Sequence, residues 1–423
     1  MNTFSPTASA SVSEERLWQL LMDVASYGAT AKGGVNRQAL STEDTAAKKH
    51  VVRWAAERGF TTFQDDIGNL FVRRDGTEPT LAPVMTGSHL DSQPTGGRFD
   101  GAYGVLAGLE ALNALNDSGT QTRHPVEVVA WTNEEGSRYS PGAFGSSIFA
   151  GLASVDSVLD NTDAAGIVLR GELAKSLSET GVPMRPQGSV KPHSYIEAHI
   201  EQGPVLEDKG LQIGVVTSIQ GIHHLDVVIV GEEAHAGTTP RRSRKDALSS
   251  AVAIIAALEL MTSDEDDVTR FTVGRCEVQP GSPNTVPGRV HFTIDLRHPD
   301  RAVLKSLVDR VRLVATEKAG PCSVTVTDNL TVDPTIFEDQ VMTAIRQSAQ
   351  NLGLGHMDMP SGAGHDAMHL ATLCPAGMIF VPCLGGVSHN EAESATPADL
   401  AAGARVLADT LVRLANGGKI NLR

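Results

Sequence analysis

The sequence predicts an α/β protein in which a mostly parallel sheet, covered on both faces by helices, is interrupted by a smaller inserted domain. Three observations lead to this fold class. Short apolar runs alternate with amphipathic helical patterns in both end portions of the chain. Between about residues 222 and 331 this rhythm changes to a different order of strands and helices. A chain of 423 residues also exceeds the usual size of one hydrophobic core.

The strands of the end portions are predicted from apolar runs that each stop at a polar cluster. These runs are Leu81–Thr86, Val126–Thr132, Ser194–Ile200 and Met378–Pro382. Amphipathic spacing predicts helices over Thr45–Arg58 and around Val105–Leu112, each followed by a glycine. Strands that alternate with helices form mostly parallel sheets, whose functional sites lie beyond the carboxyl ends of the strands. The polar clusters fall at those ends.

The middle of the chain has the order strand, helix, strand, strand, helix, strand. The predicted segments are Leu225–Val230, Asp246–Met261, Phe271–Val278, Val290–Leu296, Arg301–Thr316 and Ser323–Thr327. This βαββαβ order is that of a ferredoxin-like unit. We therefore predict a discontinuous domain made of residues 1–220 and 332–423, and an inserted domain of residues 221–331 with hinges near Gly221 and Asp333.

Composition and charge narrow the class of partners. The formal net charge is -15, and no stretch is dominated by Lys and Arg, which argues against nucleic-acid or anionic-membrane partners. No run approaches the roughly 18 apolar residues of a membrane span. The segment Met1–Ser13 is Ser/Thr-rich and lacks a basic-then-apolar signal pattern, so we predict a frayed tail on a cytoplasmic protein. The four cysteines show no Cys-x-x-Cys spacing, which argues against a thiolate zinc site.

Five polar clusters contain side chains of the kind that bind metals. They are Gly87–Asp91, Gly97–Gly101, Asn133–Gly136, Glu197–Gly203 and Gly386–Asn390. A single His beside a strand is more often structural, and Asp100 alone would serve as a helix cap. Together, the clusters place His, Asp and Glu at the ends of different strands. Such a mixed imidazole and carboxylate set is what borderline divalent metals prefer.

The motifs also have a recognisable order along the chain. They read His-x-Asp, Gly-Gly-x-x-Asp-Gly, Glu-Glu-Gly-Ser-Arg, His-Ile-Glu-Gln-Gly, Ala-His-Ala-Gly, Gly-His-Asp-Ala and Ser-His-Asn, from about His89 to Glu391. This set resembles the hydantoinase/carbamoylase branch of the M20 metallopeptidase-like family. That branch includes N-carbamoyl-L-amino acid hydrolases, β-ureidopropionases, allantoate amidohydrolases and ureidoglycolate amidohydrolases.

The resemblance implies a binuclear metal site. Its ligands would be Asp100, which bridges the two ions, His89 and His199 on one ion, and Glu135 and His389 on the other. We expect two divalent ions per subunit, with zinc fitting the ligand set and manganese, cobalt or nickel also able to bind it.

The resemblance also assigns the proton transfers. Glu134 is left as the general base, which takes a proton from a metal-activated water and passes it to the leaving nitrogen. Asp91 is expected to orient the ring of His89 by accepting its free N–H. In the peptidase relatives the position of His199 is usually an Asp or Glu, so the histidine points away from a peptidase.

Five further residues are expected to bind the substrate or its transition state. Arg297 and Asn284 match positions that hold a substrate carboxylate, although Arg297 taken alone reads as an ordinary exposed strand-end charge. Gln202 offers both a donor and an acceptor, which suits a ureido group. His365 is expected to line the same pocket, where a structural turn is the alternative. His235 is expected to stabilise the oxyanion.

The predicted protein is therefore a di-metal amidohydrolase that cleaves the carbamoyl C–N bond of a small carboxylate-bearing substrate. An N-carbamoyl-L-amino acid is the leading substrate, and allantoate, ureidoglycolate, an N-acyl amino acid or a dipeptide are the alternatives. A non-catalytic dimeric binding protein on the same scaffold is a further alternative, which the retention of Glu134 and all five ligand positions disfavours. The resemblance implies a homodimer joined through the inserted domain, with His235 of one subunit serving the other subunit's site.

Overall fold

The computed structural model describes residues 7–265 and 267–417. Its strands are β1 (Thr61–Gln64), β2 (Leu70–Arg74), β3 (Val84–His89), β4 (Val126–Trp131), β5 (Ser194–Ile200), β6 (Ile213–Ile219), β7 (Gly221–Val230), β8 (Ala234–His235), β9 (Arg270–Gln279), β10 (Thr285–Val286), β11 (Arg289–His298), β12 (Ser323–Val332), β13 (Thr335–Ile336), β14 (His356–Ser361) and β15 (Ala376–Val381). Its α-helices are α1 (Glu14–Ala25), α2 (Thr42–Glu57), α3 (Ala102–Asp117), α4 (Phe144–Phe149), α5 (Leu169–Thr180), α6 (Val205–Lys209), α7 (Ala247–Thr262), α8 (Arg301–Lys318), α9 (Asp339–Asn351), α10 (Ala367–Leu370) and α11 (Pro397–Asn416).

The chain divides into two compact units. The chain up to Thr217, together with the chain from Ile336 onward, forms the first unit, and Ser218–Thr335 forms the second. The insertion predicted from the strand order covers residues 221–331. No helix in the described ranges has both the length and the apolar character that a membrane crossing needs.

The first unit is built on a large mixed sheet. Its strand order is β1-β2-β4-β3-β5-β15-β6-β13, and β14 also pairs with β6. The four central strands β4, β3, β5 and β15 run parallel to one another, whereas β1, β2 and β6 pair antiparallel at the flanks. The predicted α/β class with a mostly parallel main sheet is confirmed. The antiparallel flanks were not predicted, since apolar runs do not report strand direction.

Burial explains why the central strands could be predicted from the sequence. Every residue of β3, β4, β5 and β15 is buried, as expected for parallel strands that are covered on both faces. Helix α3 packs on β3 and β5 and buries almost its whole length. Its amino end therefore lies at the carboxyl edge of the central strands, which is where the polar clusters occur.

The second unit contains a four-stranded antiparallel sheet of order β12-β7-β11-β9. Its strands and long helices follow the predicted βαββαβ order, with α7 and α8 packed on the sheet. Strand β11 alternates between buried and half-buried residues, with Val290, Phe292, Ile294 and Leu296 buried. One face of this sheet thus makes the core of the unit.

The predicted frayed tail is wrong for the described part of the amino terminus. Residues Ser9–Ser11 form a 3-10 helix that packs on α3 and α11, and Ala8 and Val12 are buried. The Ser13 hydroxyl accepts the N–H of Arg16 and caps α1. The segment is rich in Ser and Thr, so its composition did not indicate that Ala8 and Val12 would be buried. Residues 1–6 of the predicted tail lie outside the described residues.

Candidate metal centre

The five predicted ligands come together at the carboxyl edge of the parallel strands. His89 is the last residue of β3, Glu135 follows β4, and His199 is near the end of β5. His389 lies on the loop after β15, and Asp100 stands two residues before α3. Parallel strands end at one edge of their sheet, so residues far apart in the sequence meet there.

Asp100 lies at the centre of this cluster, and its two carboxylate oxygens face different groups. Its Oδ1 atom is 3.2 Å from His199 Nε2 and 3.8 Å from His89 Nε2. Its Oδ2 atom is 3.4 Å from His389 Nε2, which is also 3.3 Å from Glu135 Oε2. The cluster therefore consists of two triads that share Asp100, and in each triad one ligand atom per residue lies within 4.8 Å of the others.

The histidine rings have the orientation that metal ligands need. The Nδ1 atom of His89 is 2.9 Å from the carbonyl oxygen of Asp91, and that of His199 is 2.9 Å from the carbonyl oxygen of Ile200. Because a carbonyl can only accept, Nδ1 carries the hydrogen in both rings. In the neutral tautomer, the Nε2 lone pair of His89 faces the Asp100 carboxylate, and that of His199 lies near the same carboxylate and accepts the Gly101 N–H at 3.2 Å. Two acceptors directed at each other call for a cation between them.

The charge balance of the site also calls for a cation. Burial, followed by the charges of Asp366 and Glu135, raises the pKa of Glu134 well above its usual value. Burial and the charges of Asp100 and Asp91 raise the pKa of Glu135 to about 8. Burial opposes protonation of His199, yet its hydrogen bond to Asp100 raises its pKa to about 9. Buried carboxylates that repel one another beside imidazole nitrogens are stabilised by a divalent cation, so the residues fit a metal site.

Glu134 belongs to the same cluster. Its Oε2 atom lies 3.5 Å from His89 Nε2, on the side of the site that does not include Glu135. Asn133, which precedes it, has a positive φ of 60° and bonds through Nδ2 to the carbonyl oxygens of Tyr139 and Pro141. This strained turn directs the carboxylates of Glu134 and Glu135 into the site. Backbone strain of this kind is common at functional sites.

Asp91 supports the site in a different way from the one expected. Its carboxylate accepts the backbone N–H groups of Glu134 and Glu135, each at 3.2 Å. The ring of His89 bonds instead to the Asp91 carbonyl oxygen, and the Asp91 carboxylate is 3.9 Å from Nδ1. Asp91 therefore orients the turn that carries the two glutamates, and its backbone orients His89.

A glycine makes room for the first histidine. Gly101 has φ 62°, and a Cβ atom at this position would overlap the imidazole ring of His89. The Asp-Gly pair before α3 thus meets two requirements: its Asp directs a carboxylate into the ligand cluster, and its Gly leaves room for the ring of His89.

Two of the expected substrate residues lie beside the cluster. Gln202 has a positive φ of 57°, and its Nε2 donates to Asp100 Oδ2 at 2.9 Å and to Ser388 Oγ at 3.1 Å. Its buried Oε1 atom has no hydrogen-bond partner within the described part of the chain. The ring of His365 is buried with its centroid 4.5 Å from that of His199, and its Nε2 is 3.0 Å from Ser361 Oγ.

The other three expected residues belong to the second unit. His235 in β8 pairs with Thr285 in β10, and the Ala236 N–H donates to the carbonyl oxygen of Asn284, so His235 and Asn284 are neighbours. His235 is exposed, and its Nδ1 accepts the N–H groups of Gly237 and Thr238. The hydrogen of the neutral ring is therefore on Nε2, which makes that atom a donor.

Arg297, at the end of β11, is held by a neighbouring carboxylate. Its Nε and Nη2 atoms donate to Asp295 at 2.9 and 2.8 Å, and Asp295 also lies 3.3 Å from His224 Nε2. The guanidinium is half-buried. Such a bidentate pair fixes the plane of the arginine fork.

Three groups around the centre, of which Glu197 and Glu393 are buried, were not assigned a role from the sequence. Glu197 accepts hydrogen bonds from the Ser88 hydroxyl and from the Ala367 N–H. Ser388 and Glu393 connect the loops of His389 and Asp100. A charged residue inside an otherwise apolar strand was the available signal for Glu197. For Ser388 and Glu393 the only signal was their closeness in sequence to His389.

An α/β unit with a His, Asp and Glu cluster at the carboxyl edge of its parallel strands has the arrangement of a metal-binding enzyme. Comparisons with known proteins narrow this class. Residues 85–413 match the model of Peptidase family M20/M25/M40. An N-carbamoyl-L-amino-acid amidohydrolase from Rhizobium meliloti is 40% identical over 409 residues, which cover 95% of this chain and 97% of the relative. An allantoate amidohydrolase from Bacillus subtilis is 36% identical over 398 residues, which cover 93% of this chain and 95% of the relative.

A solved structure is also similar. An amidase of the hydantoinase/carbamoylase family from Burkholderia multivorans has 44% sequence identity and a TM-score of 0.90, covering 96% of this chain and 98% of that chain. The chain belongs to Peptidase family M20/M25/M40 and, within it, to the hydantoinase/carbamoylase branch. The family resemblance predicted from the motifs is confirmed, and so is the enzyme class, an amidohydrolase.

Proposed function

We propose that the protein hydrolyses the carbamoyl C–N bond of an N-carbamoyl-L-amino acid or a closely related ureido acid. The observation that carries this proposal is the pair of triads that share Asp100, with the unshared carboxylate of Glu134 beside them. The relative from Rhizobium meliloti supports the substrate class. The position of His199, a histidine where peptidases of the family usually have a carboxylate, supports it as well.

The two triads are proposed to hold two divalent ions. His89, Asp100 and His199 would hold one, and Asp100, Glu135 and His389 the other. When bound, divalent ions supply positive charge that polarises a carbonyl group and makes water a better nucleophile near neutral pH. Imidazole and carboxylate ligands suit zinc, and manganese, cobalt or nickel would bind the same set.

Glu134 is proposed to move the proton. Its carboxyl is half-buried and lies next to the ligand cluster, and it is not needed to complete either triad. It can accept a proton from the attacking water and deliver it to the nitrogen that leaves, a role that contributes ~10²–10⁴ in rate. Asp91 keeps this carboxyl in place through the backbone N–H of Glu134.

Five residues are proposed to bind the substrate or its transition state. In the first unit, the unpartnered Oε1 atom of Gln202 can accept an N–H of a ureido group, while His365 lines the site. In the second unit, Arg297 and Asn284 would bind the carboxylate, with Asp295 fixing the arginine fork. The Nε2–H of His235 would stabilise the oxyanion.

The arrangement of His235 is proposed to be shared between subunits. The residue lies on the inserted unit, whereas every proposed metal ligand lies in the other unit. In a twofold dimer joined through the inserted unit, His235 of one subunit would complete the site of the partner. The homodimer and the cytoplasmic location stay predictions.

The experiment that tests the function is a substrate panel. N-carbamoyl, N-formyl and N-acetyl amino acids, β-ureidopropionate, allantoate and ureidoglycolate are assayed with Zn²⁺, Mn²⁺, Co²⁺ and Ni²⁺ in turn. We expect the highest kcat/KM with an N-carbamoyl-L-amino acid. A clear preference for allantoate, the substrate named for the Bacillus subtilis relative, would replace the proposed substrate and keep the reaction class.

A further inference from the structure

The five proposed ligands differ in how firmly the fold holds them. The side chains of His89, Asp100, His199 and Glu135 are at most 5% exposed, whereas that of His389 is 53% exposed. His389 also lies on a loop, with a positive φ of 52°. A non-glycine residue in such a conformation persists only where its surroundings over-determine it. Something other than burial must therefore place His389.

The side chain of Glu393, four residues further along the chain, makes the required contacts. Glu393 is 2% exposed. Its Oε1 atom accepts the backbone N–H groups of Phe99 and Asp100 at 2.8 and 3.1 Å. Its Oε2 atom is 3.1 Å from the hydroxyl of Ser388, the residue directly before His389. One carboxylate thus ties the His389 loop to the Asp100 loop.

The backbone of the loop that contains His389 also forms a hydrogen bond at Glu393. The Glu393 N–H donates to the Asn390 carbonyl oxygen, and the Ser388 hydroxyl also lies 2.8 Å from Asp100 Oδ2. Asp100 has other supports, since its Oδ1 atom faces His199 and its residue stands at the start of α3. The segment before His389 has a further contact, since the Ser388 hydroxyl also accepts the Nε2–H of Gln202 at 3.1 Å; of these contacts, Glu393 is the one that joins two loops through a single side chain.

From this geometry we infer that Glu393 is the positioning residue that presets His389, and so builds the cation position formed by Asp100, Glu135 and His389. The position formed by His89, Asp100 and His199 should depend on it less, because both histidines stand on buried strands and only the backbone of Asp100 contacts Glu393. This inference rests on the proposed two-ion site. Its consequence is an asymmetry: one position takes two histidines from buried strands, and the other takes His389 from an exposed loop that the Glu393 carboxylate helps to hold.

The test is metal binding in the full-length protein without substrate. Chelator-treated protein is titrated with Co²⁺, and calorimetry and the visible absorption of bound Co²⁺ report each position. In Glu393→Ala we expect one Co²⁺ to bind as in the wild type, and the second to bind at least about tenfold more weakly, as is usual when a supporting partner of a ligand is lost. In a background of His389→Ala, the same change should have no further effect.

Two variants serve as controls. Glu393→Gln keeps the shape and one acceptor for the Phe99 and Asp100 N–H groups, so it should retain both positions. Glu391→Gln makes the same chemical change on the same loop, where the carboxylate lies 3.5 Å from Lys32 Nζ and is not part of the Glu393 contacts. Glu391→Gln should also retain both cation positions. Loss of the second position in Glu393→Gln would mean that charge, and not positioning, is the role of Glu393, and would overturn the inference.

The remaining outcomes are also decisive. Equal weakening of both positions, or of neither, in Glu393→Ala would refute the asymmetry. If that variant does not fold, Glu393→Asp decides, since it keeps the charge but is one methylene too short to reach both Ser388 and the Phe99 and Asp100 N–H groups: weakening of the second position alone supports the inference, and unchanged binding refutes it. A wild-type protein that binds a single Co²⁺ would contradict the proposed two-ion function itself. Two Co²⁺ ions bound with the same affinities in the wild type and in Glu393→Ala would contradict this inference alone.

Discussion

Replacing Gly101 by alanine tests whether the geometry of the metal centre depends on the backbone before α3. Gly101 has φ 62°, and a Cβ atom there would overlap the Cε1, Nδ1 and Nε2 atoms of His89. The strained backbone costs about 1–3 kcal/mol for a residue with a side chain. Relieving the overlap costs a further ~1–3 kcal/mol, as for an overpacked core.

The function should suffer more than the fold. Carbon atoms in contact prefer separations of about 3.5–4.0 Å, so the ring of His89 would have to move by roughly 1 Å. A misplacement of this size at a reacting centre can lower the rate ~10²-fold. We therefore expect kcat/KM to fall about a hundredfold in Gly101→Ala, together with weaker binding of one metal ion.

Gly119→Ala is the matched control. Gly119, just beyond the same helix, has φ 64° and no atom within 4 Å of the added Cβ, so the variant carries the backbone strain without the overlap. Chemical unfolding of the metal-free proteins, metal titration and steady-state kinetics compare the two. Gly119→Ala should lose stability and keep activity. Wild-type activity and metal binding in Gly101→Ala would refute the argument that His89 requires the space behind it.

Four further predictions follow from the proposed mechanism. Chelation should abolish hydrolysis and a divalent first-row metal should restore it; full activity of metal-stripped protein would exclude the proposed chemistry. Glu134→Gln should lose most of kcat while it still binds about two metal ions, and a loss of metal instead would make Glu134 a ligand. Arg297→Lys should raise KM sharply for carboxylate substrates and little for an amide without that group, because an ammonium cannot replace a bidentate fork; equal losses would make Arg297 structural. Co-expressed His235→Ala and Glu134→Gln subunits should recover roughly a quarter of wild-type activity if sites are shared across a twofold dimer, and mixed dimers without recovery would place His235 in its own subunit's site.

Much of the fold could be predicted because buried strands leave a local signal. The run Ser194–Ile200 coincides with β5, and the runs at Val126–Thr132 and Met378–Pro382 each overlap a fully buried strand. Apolar side chains on both faces are required wherever helices cover a parallel sheet on both sides. The antiparallel flanks and the burial of Ala8, Ser9 and Val12 could not be predicted in this way, since strand direction and docking depend on segments distant in the sequence.

The candidate ligands were also evident from the sequence, but their division into triads was not. Parallel strands end at one edge, so His89, Glu135 and His199 had to approach one another once the strands were identified. Which oxygen of Asp100 faces which histidine depends on side-chain torsions that neighbours in space decide. The same holds for Asp91, whose carboxylate bonds to the turn of Glu134 and Glu135 and not to the His89 ring.

By itself, the sequence determined the alternation of strands and helices, the βαββαβ order of the inserted segment and the residue types at the strand ends, because these depend on local periodicity. Only the tertiary structure decided the supporting contacts. Glu393 bonds to the N–H of Phe99 across 294 residues of chain. A single carboxylate so far along the sequence has no local pattern to mark it, and its role arises only when two loops meet at the same edge of the sheet.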